Sequence, residues 1–284
     1  MAKKDWIKQK HPYVDKIMAY GRMMKRPTDE VDGLIRTTDG GATKGFFHYA
    51  PTGGGPSVPL KRAFYKPFLF LSPKDCITDA VEANIYEWNE TKSGTGTPLA
   101  PVDAAGGGVK FTNAATDNSY YFYELGGEPW KLSSGLDLWF RAVIRVSDAT
   151  QSDLFVGLCQ RLASGNLFDN RVNCVGFRKD DGDASIDCVS TLAGSSTSQT
   201  AQATLTADVD WGVGFHWDGV NSRLYFYISP AGEPGKVVNT DSYKSVITAT
   251  LPTTEMTLAF GLRNGEAVAK VMTLRFVDIL WEYL

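Results

Sequence analysis

The sequence predicts an all-β protein: a two-sheet antiparallel sandwich or jelly roll, preceded by an extended N-terminal arm that contains a short helix. Three observations predict it. From Cys76 onward the chain breaks into some thirteen short β-branched and aromatic runs, separated by clusters of Gly, Asp, Asn and Ser. Many of those runs alternate with period two. The same region carries no strong helical pattern and no fixed-period repeat, which argues against a propeller or a solenoid.

The runs are ANIYEWNET, GVKFTN, SYYFYEL, LDLWFRAVIRVS, DLFVGLCQR, CVGFRKD, ASIDCVST, TSQTAQATLT, VDWGVGFHWD, RLYFYIS, VVNTD, MTLAFGLRNG and KVMTLRFVDILWEYL. In the fourth, Leu138, Phe140, Ala142, Ile144 and Val146 are uniformly apolar, while Trp139, Arg141, Val143 and Arg145 are mixed. That is a strand with one face in a core. RLYFYIS likewise sets Leu224, Phe226 and Ile228 on one side and Arg223, Tyr225 and Tyr227 on the other. KDDGDAS (179–185) and WDGVNSR (217–223) read as hairpin turns, with Gly182 and Gly219 supplying positive φ.

The length of 284 residues suits one large β domain plus an appendage. Hydrophobic residues make up 43% and charged residues 21%, values of a folded globular chain. The expected division is an arm over 1–75 and a sandwich over 76–284. Four cysteines (Cys76, Cys159, Cys174, Cys188) without a C-x-x-C pair, and only three histidines, give no structural zinc motif. They read as buried free thiols of a reducing cytosol. The N-terminus has no apolar signal-like run, and no apolar stretch approaches the roughly 18 residues that suggest a membrane span.

The formal net charge of −3 conceals an asymmetry. Met1–Arg26 carries Lys3, Lys4, Lys8, Lys10, Lys16, Arg22, Lys25 and Arg26 against Asp5 and Asp15, which makes that segment +6 and the remainder −9. A basic end on an acidic body can dock on an acidic partner surface or, less directly, on nucleic acid, and the acidic body argues against a dedicated nucleic-acid binder. A short helix is expected over about 13–25, between Pro12 and Pro27. The stretch PTGGGPSVP (51–59) is an extended connector flanked by Phe46, Phe47, Tyr49, Phe64 and Tyr65. Aromatics at this density would be exposed on a free linker, so they are expected to be buried on the body or on another subunit.

Three stretches carry a resemblance: LWFRAVIRVSDATQSDLFVGLCQ (138–160), VDWGVGFHWDGVNSRLYFYISPAG (209–232) and MTLAFGLRNGEAVAKVMTLRFVDILWEYL (256–284). Together they resemble the concanavalin-like, laminin-G-like jelly-roll sandwich, in the variant common among tailed-bacteriophage virion proteins. The resemblance covers residues 76–284 and concerns fold. It implies a non-enzymatic virion structural protein, such as a capsid decoration or cement protein that stabilises the particle. Its partners would be the major capsid protein and neighbouring copies of itself. Lys3, Lys4, Trp6, Lys8, Lys10, Arg22, Lys25, Arg26, Phe46, Phe47, Tyr49, Phe64 and Tyr65 would make the contacts. The alternative is a carbohydrate-binding, lectin-like module of a phage adsorption appendage, with a glycan as ligand.

No chemical motif displaces that reading. Glu82, Glu87 and Glu90 are spaced oddly, so successive carboxylates point to opposite faces of a strand, unlike the paired carboxylates of glycosidases. There is no G-x-S-x-G; His11 and His48 lie in the arm, and His216 reads as a core or surface imidazole rather than a base. Asp181, Asp183 and Asp187 form a weak calcium candidate without the closing bidentate Glu, and a hairpin turn explains the same residues. The glycine runs at 53–55 and 106–108 lack the Lys and Ser/Thr of a phosphate loop. No cofactor is expected. Tyr120, Tyr121, Tyr123, Trp130, Trp211 and Trp217 could stack sugars, but aromatics in a sandwich are more often core.

Overall fold

The computed structural model describes residues 61–65, 77–78, 88–102, 107–162, 168, 172–229 and 243–282, with backbone alone at 61–65, 77–78, 281 and 282. The expected helix over 13–25, the connector at 51–59 and the run VVNTD lie outside the described residues. The chain divides into two compact units, Met1–Ala63 with Glu282–Leu284, and Phe64–Trp281. The sandwich core belongs to the second.

The described strands are numbered in chain order, beginning with β1 (Lys61–Tyr65). One sheet runs in the order β14 (Ser245–Ile247), β13 (Arg223–Ser229), β12 (Trp211–Asp218), β7 (Leu138–Val146), β16 (Val271–Glu282), β5 (Val109–Thr112), β4 (Thr97–Pro101). This is the first sheet. The second runs β11 (Ser195–Thr204), β10 (Ser185–Leu192), β9 (Cys174–Lys179), β8 (Ser152–Cys159), β15 (Thr257–Asn264), β6 (Tyr120–Leu125), β3 (Trp88–Ser93), β2 (Ile77–Thr78). All pairings in these two orders are antiparallel except β2 with β3. The chain crosses repeatedly between the sheets, as from β6 to β7 to β8 and from β15 to β16. The protein is a two-sheet antiparallel jelly-roll sandwich.

Period-two alternation in the first sheet is realised as read. In β7 the residues Leu138, Phe140, Ala142, Ile144 and Val146 are buried, and Trp139, Arg141, Val143 and Arg145 are half-buried on the other face. Opposed inner faces interdigitate through aromatic rings. Phe177 of β9 meets Phe226 of β13 edge-on at 5.5 Å, and Phe111 of β5 meets Tyr123 of β6 at 5.3 Å. Phe260, fully buried on β15, packs edge-on against Trp88 at 5.1 Å. The Phe177–Phe226 and Phe111–Tyr123 contacts tie one sheet to the other across the core, and Phe260 also reaches Phe111 of the first sheet at 6.3 Å.

The two hairpins form where expected, but one glycine acts differently. Gly182 takes φ 81° between β9 and β10. Between β12 and β13 the positive φ belongs to Ser222, at 54°, and not to Gly219. Gly219 is required for close approach: a Cβ there would stand 2.3 Å from the Leu136 carbonyl oxygen. The 132–137 segment and this hairpin are laced together, since Gly135 N–H donates to Gly219 O at 2.7 Å. Four of the described strands were not foreseen, β1, β2, β4 and β14; β4 and β14 are short edge pieces, and β4 carries Pro98 and Pro101, which mask strand character in the sequence.

Cutting Phe260 to alanine would open a void against Trp88, Phe111 and Tyr123. The expected cost is about 3–5 kcal/mol, read as a lowered urea midpoint at unchanged m-value.

Candidate functional site

The outer faces of the two sheets differ. On the first sheet Trp139, His216 and Tyr225 are lateral neighbours on β7, β12 and β13. Trp139 and His216 are parallel to within 2° with centroids 4.8 Å apart, and His216 and Tyr225 follow at 6.0 Å. A 4.8 Å spacing equals the distance between adjacent strands, so these rings stand upright and stack on each other. Their faces are spent on one another and are not laid open as a platform. His216, read from the sequence as a core or surface imidazole, is a half-buried member of this stack, 3.3 Å from Asp137.

On the second sheet the central strands are buried on both faces. Every residue of β8 is buried. Its inward side chains Leu154, Val156 and Leu158 join the main core. Its outward ones, Phe155 and Cys159, form a second apolar cluster with Phe122, Cys174, Val189, Ala259 and Phe168. Gly261 makes room for it: a Cβ there would meet the Phe122 ring at 2.5 Å. Phe168, from the connection between β8 and β9, sits edge-on to Phe122 at 5.9 Å.

At one end of this cluster lies a recess of about 250 Å³, lined by Asp153, Leu154, Phe155, Phe168, Arg178, Asp180 and Arg263. Arg263 Nε donates to Asp153 Oδ2 at 2.7 Å, and its guanidinium lies 5.3 Å over the Phe168 ring. Arg178 donates through Nε and Nη2 to the Asp180 carboxylate. The other oxygen of Asp153 accepts the Asp181 N–H at 3.0 Å. The recess therefore has an apolar wall of two phenylalanines and a rim of two guanidinium–carboxylate pairs, fixed in place and balanced in charge.

Behind the rim is an internal cation. Lys179 is fully buried, and its Nζ donates to the carbonyl oxygens of Thr150 and Asp180 at 3.1 Å, of Asp183 at 2.9 Å, and of Ser152. Burial pulls its pKa down, against the nearby Asp153, Asp181, Asp148 and Asp183. This corrects the calcium candidate. Asp183 accepts the Ser185 N–H at 2.8 Å as a turn cap, and Asp187 accepts the Ala201 N–H of β11 at 2.8 Å. Asp181, Asp183 and Asp187 do not converge, and no metal-holding cluster of three or more such groups occurs among the described residues. The ammonium already occupies the oxygen-lined turn that an ion would need.

At the other end of the same face stands Glu124 on β6, 3% exposed. It accepts the Leu162 N–H at 3.1 Å and the Cys159 thiol at 3.6 Å. Burial raises its pKa to about 7, only partly offset by those two donors. Glu128 accepts the next amide, Arg161 N–H, at 2.6 Å, so the two glutamates tether the start of the connection that carries Phe168. Glu124 pairs with Ala259 and Tyr120 with Arg263, four residues away along the strands, or roughly 13 Å.

Of the residues singled out from sequence, the arm contacts Lys3 through Tyr49 lie outside the described residues, as do Glu82 and Glu87. Phe64 and Tyr65 lie on β1, where only backbone is described. Glu90 accepts the Tyr123 hydroxyl at 2.8 Å, a structural contact at the core margin. The six-aromatic platform is not formed: Tyr121, Tyr123, Trp130, Trp211 and Trp217 are buried in the main core, and Tyr120 flanks the outer cluster. Cys159, Cys174 and Cys188 are buried free thiols, as read. The recess residues were missed. Their signal was available: FVGLC (155–159) and CVGF (174–177) are unbroken apolar runs, the mark of strands covered on both faces.

Fold and site together define a jelly-roll protein with a small aromatic and ion-paired recess on one outer face. No family model matches the chain, and no curated protein matches it. Solved structures resemble it at low identity. The basic winged bean lectin with Tn-antigen gives a TM-score of 0.49 at 9% identity, covering 78% of this chain and 98% of the lectin. A protein of unknown function from Shewanella oneidensis MR-1 gives 0.48 at 10%, covering 79% and 87%. The Bacillus licheniformis beta-glucanase gives 0.46 at 10%, covering 78% and 98%.

Two outcomes follow from the buried charges. Lys179→Met strands four carbonyl acceptors and should cost about 3 kcal/mol or more in urea unfolding. Glu124 keeps its proton to about pH 7 in the folded chain but loses it near its ordinary 4.5 when unfolded. The stability from the protonated form is complete below pH 4.5 and is lost as pH rises through about 7. Glu124→Gln should remove that decline, worth about 3 kcal/mol at most, in unfolding curves taken between pH 4 and pH 8.

Proposed function

We propose that this protein is a carbohydrate-binding module that takes one neutral sugar ring into the recess on the outer face of the second sheet. The observation that supports this is the lining itself. The small edge that Phe168 leaves exposed gives the C–H side of a sugar an apolar contact, and the rim sets guanidinium donors beside carboxylate acceptors for its hydroxyls. The rim pairs hold those groups in position before a ligand arrives, which reduces the ordering cost of binding. The volume of about 250 Å³ lies below the roughly 300–1,000 Å³ of drug-sized clefts, which fits a single ring rather than a long chain. Two arginines against two aspartates favour a neutral sugar over an acidic one. Binding is favoured over catalysis because both recess carboxylates are committed to guanidinium partners, and Glu124 stands at the far end of the face.

The full chain should bind a subset of neutral glycans on an array, and titration calorimetry should give a saturable isotherm. Arg178→Ala and Asp180→Ala, both on the rim, should each weaken binding by about tenfold or more while leaving the unfolding midpoint nearly unchanged. An array without neutral-glycan hits, or binding indifferent to both changes, refutes the reading.

A second reading is carried by charge. The +6 segment Met1–Arg26 on an otherwise acidic chain suits an arm that docks on an acidic assembly surface, such as a capsid shell, and stabilises the particle. Removing residues 1–60 should then abolish particle binding and leave the sandwich folded. A truncated chain that still occupies particles fully rules this out.

A further inference from the structure

Cys159 ends β8, Cys174 begins β9, and the two are direct partners in the antiparallel ladder. The next pair outward, Gln160 and Asn173, is joined by an N–H···O bond of 2.8 Å. Hydrogen-bonded and open pairs alternate along such a ladder, so Cys159 and Cys174 are an open pair, with Cα atoms about 4.5 Å apart. That separation falls inside the roughly 4.4–6.8 Å span of disulfides. Both side chains point to the outer face and share one apolar cluster. Cys188 is excluded as a partner, because it belongs to the main core on the other side of the sheet.

We propose that Cys159 and Cys174 are the two halves of a cross-strand disulfide that forms when the chain folds in the presence of a small-molecule disulfide. The thiolate of one cysteine attacks the reagent, forming a mixed disulfide and expelling one reagent thiolate. The second cysteine attacks the mixed disulfide, the protein S–S bond forms, and the second reagent thiolate leaves. Two protein thiols are oxidised, one reagent disulfide is reduced, and the two protons end on the two reagent thiols. In the folded chain burial pushes the Cys159 thiol well up and the Cys174 thiol up to about 11, which keeps both thiols protonated and unreactive once packed. The bond is therefore made during folding.

The bond would staple the base of the connection that carries Phe168. Its formation is independent of any ligand, whereas an effect on sugar affinity rests on the glycan reading above. The test refolds the full chain from denaturant in a mixture of oxidised and reduced glutathione, alkylates remaining thiols and measures intact mass. The expected product has two alkylated thiols instead of four, and its peptide map links Cys159 to Cys174. Cys159→Ser and Cys174→Ser each lose that link. The linked chain should melt about 5 °C higher than the same chain after dithiothreitol. Four alkylated thiols, or a link to Cys76 or Cys188, overturns the proposal. Should a serine variant fail to fold, the map of the unaltered chain still decides, without any glycan present.

Discussion

The fold depends on one constraint: the centre of the second sheet must be covered on both faces. Its inner face is closed by the first sheet through rings such as Phe177, Phe226, Phe111 and Phe260. Its outer face presents Phe122, Phe155 and Cys159, apolar groups that water would penalise by about 25 cal/mol for each Å² left exposed. Phe168 closes over them. Two backbone amides of the same connection are held by buried or half-buried glutamates, so the cover is fixed by hydrogen bonds as well as by area. The recess is where that cover ends, at the line between Phe168 and the charged edge of β8, β9 and β15.

The charges near this margin compensate one another. Lys179 sends its ammonium into a cage of turn carbonyls and compensates the aspartates around the 180–183 hairpin. Arg263 and Arg178 each hold a carboxylate at the rim. Leaving out Lys179 or Arg263 would strand buried oxygen atoms, the costliest defect available to such a turn, whereas the Asp180 carboxylate held by Arg178 is exposed. The opposite sheet solves its outer face differently, with upright rings of Trp139, His216 and Tyr225 stacked edge-outward. Among the described residues, it is the outer face of the second sheet that combines an apolar wall with converging donors and acceptors.

Much of the fold was legible in the sequence, because one-sided strands write their burial as alternation. LDLWFRAVIRVS and RLYFYIS declared their inward faces residue by residue, and the turns declared themselves by Gly and Asp. The site was less legible for a physical reason. β8 and β9 are buried on both sides, so FVGLC and CVGF show no alternation and say nothing about which side chain faces where. Phe168 lies in a connection with no periodicity. Glu124 looks like any strand carboxylate, and only the tertiary cover that desolvates it raises its pKa. Lys179 reads as a turn residue beside three aspartates, and nothing local tells that it points inward. The Gly219 turn was placed correctly but for the wrong cause, since close approach to Leu136, and not backbone handedness, requires glycine there.

The central claim is that the functional surface of this jelly roll is the covered face of the second sheet, at its charged margin. A crystal structure of the full chain with a bound neutral oligosaccharide tests it most directly. The account predicts a sugar ring seated against Phe168, its hydroxyls bonded to the Arg178–Asp180 and Arg263–Asp153 pairs. A sugar lodged on the Trp139–His216–Tyr225 stack, or anywhere else with the recess empty, would contradict it.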